Sequence, residues 1–526
     1  MVAGLVKSAP IPQPIQLPPG GWTPDVPIPT NQGFVSALNL VPKSNGLYGP
    51  ERGPVEFFTS SIAAFSNTQK VHGRLHSQTS ITGSAPRFYV GTLGTGAGDS
   101  KLISREEQGA WSDLSRSGGY TTTASQPWEF ANFGARVCAC NRGEPLQLSE
   151  GGASLFGDVP NSPQFTSIAT VAGFLMGVNY LDTEFGGGSQ PFGVAWSAIG
   201  NPSLPISADV PDGGWPDPST DFAATVQSGT FPLVGGGELR QIIAGIGGSA
   251  AIIVADRKMW RVNYVGPPQV FQFDEIQTDQ GATAAGTIAG LNGQFFFLGH
   301  NGFYFFDGQR ATPIGQGEVD EFFDADISLS ATFGRQRAMS AAIDQINKNY
   351  VVSYRNGDAG DGRNNRILRY NWLTQRWSNS EQDVDALGSL DNQTSRTDAP
   401  QLFGLSHDFQ IVRFIGDTLE ATMETGETYD LSGAFTEVAY FLPFVDTNEV
   451  TAALLVRDQV SQTQFATSAR GFNDHGVIPF DIDNTSGRFY ACRVTIPAAA
   501  EWTNWQGGIY GAYPVGFGSR SGQGGA

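Results

Sequence analysis

Several residues in this chain are of types that do chemistry, but their spacing seldom suits them to it. His72 and His76 stand four apart, the interval that would turn both rings toward one metal if the segment were helical. No Glu follows His72 and no third ligand is evident, so no metal site is expected there. Asp358 and Asp361, in the loop Asn356-Gly-Asp-Ala-Gly-Asp-Gly, have the oxygen ligands calcium takes. Their spacing misses the EF-hand register, and a solvated hairpin loop is the expected form. Asp320, Glu321, Asp324 and Asp326 include candidates for the carboxylate pair of glycoside hydrolysis. A chain with 50 acidic residues supplies such pairs by chance, so the cluster carries little weight. Gly245-Ile-Gly-Gly-Ser-Ala250 fits the loose Gly-x-Gly-x-x-Gly/Ala pattern, which in a dinucleotide site lies between a strand and a helix. Here Ala251-Ile-Ile-Val-Ala follows, reads as a strand, and implies a hairpin turn. There is no Walker lysine pattern, no Gly-x-Ser-x-Gly elbow and no credible Cys/His nucleophile arrangement. The expectation is a non-enzyme, with no catalytic, cofactor-binding or metal-binding residue.

Composition points the same way. The 526 residues include 67 Gly, 31 Pro and 36 Phe, with only 15% charged, which reads as an all-β protein of many short strands and frequent turns. The balance of 31 basic against 50 acidic residues gives a net charge of −19. Nucleic-acid binders displace phosphate counterions with Lys and Arg, so binding to DNA is not expected. An acidic surface facing a DNA channel would instead reduce friction; acidity that merely keeps an assembly subunit soluble is an equal alternative. Cys138, Cys140 and Cys492 are too few and too oddly placed for a disulfide framework, which suggests assembly in a reducing compartment. No apolar stretch approaches bilayer-spanning length and no signal-peptide core is evident, so a soluble, cytoplasmically made chain without membrane insertion is expected.

The elements that would position any site divide into three. Residues 1–56 are studded with proline and should form an extended, largely unpaired arm. Residues 57–430 read as one hairpin after another. Arg87-Phe-Tyr-Val leads to Lys101-Leu-Ile, Arg136-Val-Cys-Ala-Cys to Pro145-Leu-Gln-Leu, and Ala251-Ile-Ile-Val to Met259-Trp-Arg-Val. Gln294-Phe-Phe-Phe-Leu pairs with Phe303-Tyr-Phe-Phe, Asn349-Tyr-Val-Val with Arg366-Ile-Leu-Arg, and Gln401-Leu-Phe-Gly-Leu with Phe409-Gln-Ile-Val. Trp-Ser recurs at Trp111, Trp196 and Trp377, and the regular hairpins favour a degenerate β-propeller over a sandwich, with blade number left open. Short helices are expected over 318–323 and 332–339. Residues 431–526 carry longer strands, at 435–445, 451–457 and 488–496, and suggest a β-sandwich-like platform with a mobile Gly-rich tail after Gly516.

The order of landmarks resembles the nozzle, or packaged-DNA stabilisation, proteins of short-tailed bacteriophages. Gly21-Trp-Thr-Pro-Asp-Val-Pro, Ala37-Leu-Asn-Leu-Val-Pro and Gly46-Leu-Tyr are similar to their opening segment. Trp111-Ser-Asp-Leu-Ser-Arg, Trp128-Glu-Phe-Ala-Asn-Phe-Gly and Val194-Ala-Trp-Ser-Ala-Ile-Gly-Asn-Pro follow. The best stretch lies between Phe295 and Phe323, and after it come Arg366-Ile-Leu-Arg-Tyr-Asn, Gln375-Arg-Trp-Ser, Arg488-Phe-Tyr and Trp502. Tyr180 to Pro191 and Ala208 to Thr220 depart from the pattern as variable insertions. The resemblance implies a structural virion protein, six copies of which form a ring in the tail. That ring would continue the channel for double-stranded DNA below the portal and adaptor, retain the packaged genome, and meet fibres, spikes or a needle at the tip. It implies no catalytic residue. The alternative is a receptor- or glycan-binding propeller at a virion or cell surface, with Trp215 and Trp502 as exposed sugar platforms; a polymer-degrading hydrolase is the third reading.

Overall fold

The computed structural model describes residues 12–516 apart from 18–19, 57–69, 79–85, 107–108, 124, 185, 203–213, 218, 246–249, 277–278, 292, 328–338, 358–362, 391–400, 430–434 and 481–485. The protein is all-β: a degenerate β-propeller with an extended N-terminal arm and a C-terminal β-sandwich-like platform.

Among the described residues seven antiparallel sheets follow one another along the chain, the first six as meanders in sequence order. Blade 1 is built on His76–Gln78, Arg87–Leu93, Leu102–Glu106 and Ser112–Asp113, and blade 2 on Glu129–Phe133, Arg136–Asn141, Glu144–Ser149 and Gly157–Asp158. Blade 3 comprises Gln164–Val171, Phe174–Asp182, Gly188–Trp196 and Gly229–Pro232. Leu239–Ala244, Ala251–Ala255, Met259–Gly266 and Val270–Ile276 make blade 4, and Ala289–Leu291, Gln294–Gly299, Gly302–Phe306 and Ala311–Pro313 make blade 5. Blade 6 runs through Ser340–Asp344, Asn349–Tyr354, Arg366–Asn371 and Arg376–Glu381. Blade 7 takes Val384–Leu390, Gln401–Ser406 and Ile411–Thr418, and its outer strand is Arg52–Glu56 from the arm.

Each blade is packed on both faces, so its central strands are apolar runs rather than alternating ones; Ala251–Ala255 is buried at every position. Every seam between neighbouring blades, except that of blades 5 and 6, has its own apolar cluster. Blades 1 and 2 meet through Tyr89, Leu102, Trp128 and Val137, and blades 3 and 4 through Phe174, Trp196, Trp260 and Phe271. The ring closes where Phe88, Val90 and Trp111 of blade 1 pack on Phe403, Leu405 and Ile411 of blade 7. There the Trp111 indole N–H donates to the Phe409 carbonyl at 3.0 Å.

The six hairpins read from the sequence are the central hairpins of blades 1, 2, 4, 5, 6 and 7. The Trp-Ser pairs are not equivalent positions. Trp196 ends a third strand, whereas Trp377 lies in a fourth and Trp111 just before one. A helix forms at Asp320–Asp326, two residues later than the sequence suggests, and another at Asp221–Thr225. The helix expected over 332–339 and the tail after Gly516 lie outside the described residues, Met339 apart, which is not helical.

The platform is two facing sheets. One is centred on Phe435–Val445 and Trp505–Gly516, the other on Ala421–Thr425, Phe489–Ile496 and Thr451–Arg457. Tyr490 and Tyr510 meet edge to face between them at 5.5 Å. The arm is extended but, against expectation, paired. Gln13–Leu17, Leu40–Pro42 and Tyr48–Pro50 join the first sheet and Phe34–Leu38 joins the second. Pro14 is tolerated because Gln13–Leu17 is an edge strand, where a missing ladder donor can face outward.

Candidate functional site at the joint of propeller and platform

The arm crosses from blade 7 to the platform, and the residues along it hold the two together. The seam between blades 5 and 6 has no separate core: Phe296, Phe303, Tyr350 and Trp377 belong to one cluster with Trp22, Phe34, Tyr48, Phe441 and Trp505. In this cluster the Tyr48 hydroxyl accepts from the Trp22 backbone N–H at 3.0 Å and donates to the Trp377 carbonyl at 2.7 Å. The Trp377 indole in turn donates to the Ile314 carbonyl at 3.0 Å. Burial pushes the Tyr48 hydroxyl far above its ordinary pKa, so it serves as a permanent O–H donor.

Three polar fastenings surround this core. Asp25 accepts from the Glu321 and Phe322 backbone N–H groups, both at 2.8 Å, and so caps the helix Asp320–Asp326 from the arm. A carboxylate is suited to that place because a helix leaves its first N–H groups unpaired. Asn39 has a left-handed backbone, φ 60°, a conformation Asn accepts more readily than most residues. Its backbone N–H donates to Asn379, its amide donates to the Glu420 carbonyl at 2.8 Å, and its side-chain oxygen accepts from the Glu381 N–H at 3.0 Å. Finally, Arg369 of blade 6 grips Glu51 through two bonds of 2.7 Å, with side chains 3% and 1% exposed.

The other candidate residues are drawn elsewhere. His72 and His76 sit on extended backbone and do not converge: His72 bonds the Thr123 carbonyl and His76 the Asn132 side chain. Gly245 and Ala250 bond each other across the end of an antiparallel pair, so the Gly-rich segment joins two strands and precedes no helix. Asp358 and Asp361 lie outside the described residues. Asp326 accepts from the Tyr354 hydroxyl at 2.7 Å. Asp320, Glu321 and Asp324 line a cavity with His300, but every carboxylate among its described lining residues comes from the one helix. None faces another across a cleft, which is the arrangement sugar hydrolysis requires. Burial raises the Asp320 carboxyl to about 6, opposed by the Phe303 N–H it accepts and assisted by the charge of Asp25. Trp215 and Trp502 are 4% and 2% exposed, so neither is the open sugar platform expected of it; indole rings of that size were drawn into the core. The thiols are free and buried, and desolvation pushes Cys138 up to about 12.

The bore of the propeller is lined by all seven inner strands and is crossed by a side chain that sequence reasoning passed over. Arg74, on the approach to blade 1, donates to the Gln241 side chain of blade 4 at 3.0 Å and to the Ala285 carbonyl before blade 5. Glu129 of blade 2 stands 3.7 Å from the same guanidinium. An Arg in a polar stretch gives no sequence signal of this kind, because its partners are distant in the chain.

Seven blades and a sandwich platform locked by one arm define the class. No protein-family model matches the chain, and no curated protein does. Among solved structures it is similar to the computationally designed Ika8 protein, at 12% identity and TM-score 0.36, over 68% of this chain and 99% of that one. YCF48 from Cyanidioschyzon merolae is similar at 10% identity and TM-score 0.34, over 66% and 98% of the two chains. A glycoside hydrolase is similar at 11% identity and TM-score 0.27, over 86% and 100%. Likenesses at these TM-scores carry no functional argument.

Proposed function

We propose that the chain is a non-catalytic structural subunit of a short-tailed phage virion, assembled in the host cytoplasm into the tail nozzle. Six copies form a ring that continues the DNA channel below the portal and adaptor, retains the packaged genome, and passes it during ejection. Fibres, spikes or a needle attach at its tip. One observation carries this reading: landmarks of the nozzle resemblance, scattered along the chain, meet in the joint. Trp22, Asp25, Tyr48, Phe303, Arg369 and Trp377 fasten propeller to platform through bonds and packing to other parts of the chain. Residues with that employment suit a part that transmits force between its ends.

Two further features agree with it. Arg74 blocks the propeller bore, so a passing polymer would run between copies rather than through one chain. The charge of −19 would let duplex DNA slide past without adhering. The test is light scattering on the purified chain, alone and with a portal–adaptor complex. A hexamer in either condition is expected; a monomer in both contradicts the proposal.

A further inference from the structure

Blade 3 differs from its neighbours in the long excursion between its third and fourth strands. Trp215, on the return of that excursion, packs on Phe165 with ring centroids 5.2 Å apart. Between this segment and the blade lies a cavity of about 440 Å³, in the size range of small-ligand pockets. Tyr180, Trp196, Trp215 and Phe231 are the aromatic residues among its described lining. Phe231 is 44% exposed yet held flat against Phe273, with centroids 4.9 Å apart and planes at 15°, so it offers a fixed aromatic surface.

Two carboxylates complete the lining. Asp182 accepts from the backbone N–H groups of Glu184 and Gly187 at 3.1 and 3.2 Å. Asp217 accepts from the Ser219 backbone and hydroxyl at 2.8 and 2.7 Å, both through Oδ1. A carboxylate has acceptor capacity for about four bonds, and both bonds to Asp217 use Oδ1, so this carboxylate remains able to receive donors from a ligand. No Lys, Arg or His stands among the described lining residues. An anion would meet only like charge, and a plain hydrocarbon would strip water from two carboxylates without replacing it. A sugar ring has the matching chemistry, with a C–H face for an aromatic ring and hydroxyl donors on its rim.

We infer that this cavity binds a neutral saccharide of one or two rings, which stacks on Phe231 and donates hydroxyls to Asp217. The site is separate from the joint and does not depend on the proposed ring. It restores sugar recognition beside the buried Trp215, with Phe231 rather than an exposed indole as the stacking surface.

The test is saturation-transfer NMR on the full chain. The probes are glucose, galactose, mannose, N-acetylglucosamine and their disaccharides, with glucuronate and tetramethylammonium as charged controls. Transfer to at least one neutral sugar is expected, weakened about tenfold or more in Kd by Phe231→Ala and by Asp217→Asn. Asp217 is half-buried, and Asn keeps an Oδ1 acceptor for Ser219, so its variant should melt as the wild type does and report binding alone. No transfer to any neutral sugar overturns the inference. So does undiminished transfer in both variants, or a preference for glucuronate or tetramethylammonium.

Discussion

Glu51 and Arg369, 318 residues apart in the chain, form a bidentate ion pair almost wholly closed to water. The pair ties the arm to blade 6 at the point where the arm leaves the platform for blade 7. Removing one partner leaves the other charge buried and unmatched, which costs about 3–5 kcal/mol, whereas replacing both by apolar groups is often neutral. Glu51→Ala should therefore lower the melting temperature sharply, and Glu51→Leu with Arg369→Met should recover most of the loss. Equal loss in the single and double variants would show that the arm is held by its strands alone.

The arm also closes the propeller, because Arg52–Glu56 pairs with Ile411–Thr418 as the outer strand of blade 7. A chain lacking residues 1–56 would expose that edge and strip strands from both platform sheets. Exposed edges recruit other chains, so the truncated protein should elute from size exclusion as aggregate. A monodisperse, cooperatively melting product would contradict this.

Asp320 gives a pH dependence with a definite sign. Burial raises its carboxyl to about 6, above the ordinary value of about 4 that it regains on unfolding. Over that window the folded state holds the proton that the unfolded state releases, so this contribution to stability falls as pH rises from about 4 through about 6. Asp320→Asn keeps an oxygen for the Phe303 N–H and removes the titration. The melting temperature of the variant should gain on the wild type across that range; parallel curves would be inconsistent with the assignment.

All three thiols are buried, and thiolate, the reactive form, is suppressed at Cys138 by a pKa pushed up to about 12. Ellman's reagent should find almost no reactive thiol in the native protein and three after denaturation. Rapid native labelling would place at least one cysteine outside the core.

Hairpins were legible in the sequence because a blade's central strands are continuous apolar runs separated by short turns. The exception was Phe174–Asp182 with Gly188–Trp196, whose polar tip around Gly187 reads as a variable insertion. Ring closure was illegible, since nothing in Arg52–Glu56 names a partner near residue 412. The arm was read as unpaired from its prolines, but Pro14, Pro42, Pro50 and Pro54 fall inside strands, each on an edge strand or at a strand's end. Of the joint, Trp22, Asp25, Asn39, Tyr48 and Trp377 were visible within landmarks, while Glu51 was not, and the roles of Asp25, Asn39 and Glu51 came only from long-range contacts. The blade 3 cavity was hidden because its walls come from four separate stretches of chain.

The most direct test of the nozzle reading is single-particle imaging of the purified chain bound to a portal–adaptor complex. The expected result is sixfold density beneath the portal, with each propeller set off the axis and the DNA path running between copies. A particle without ring symmetry, or one whose axis passes through a single propeller bore, would contradict it.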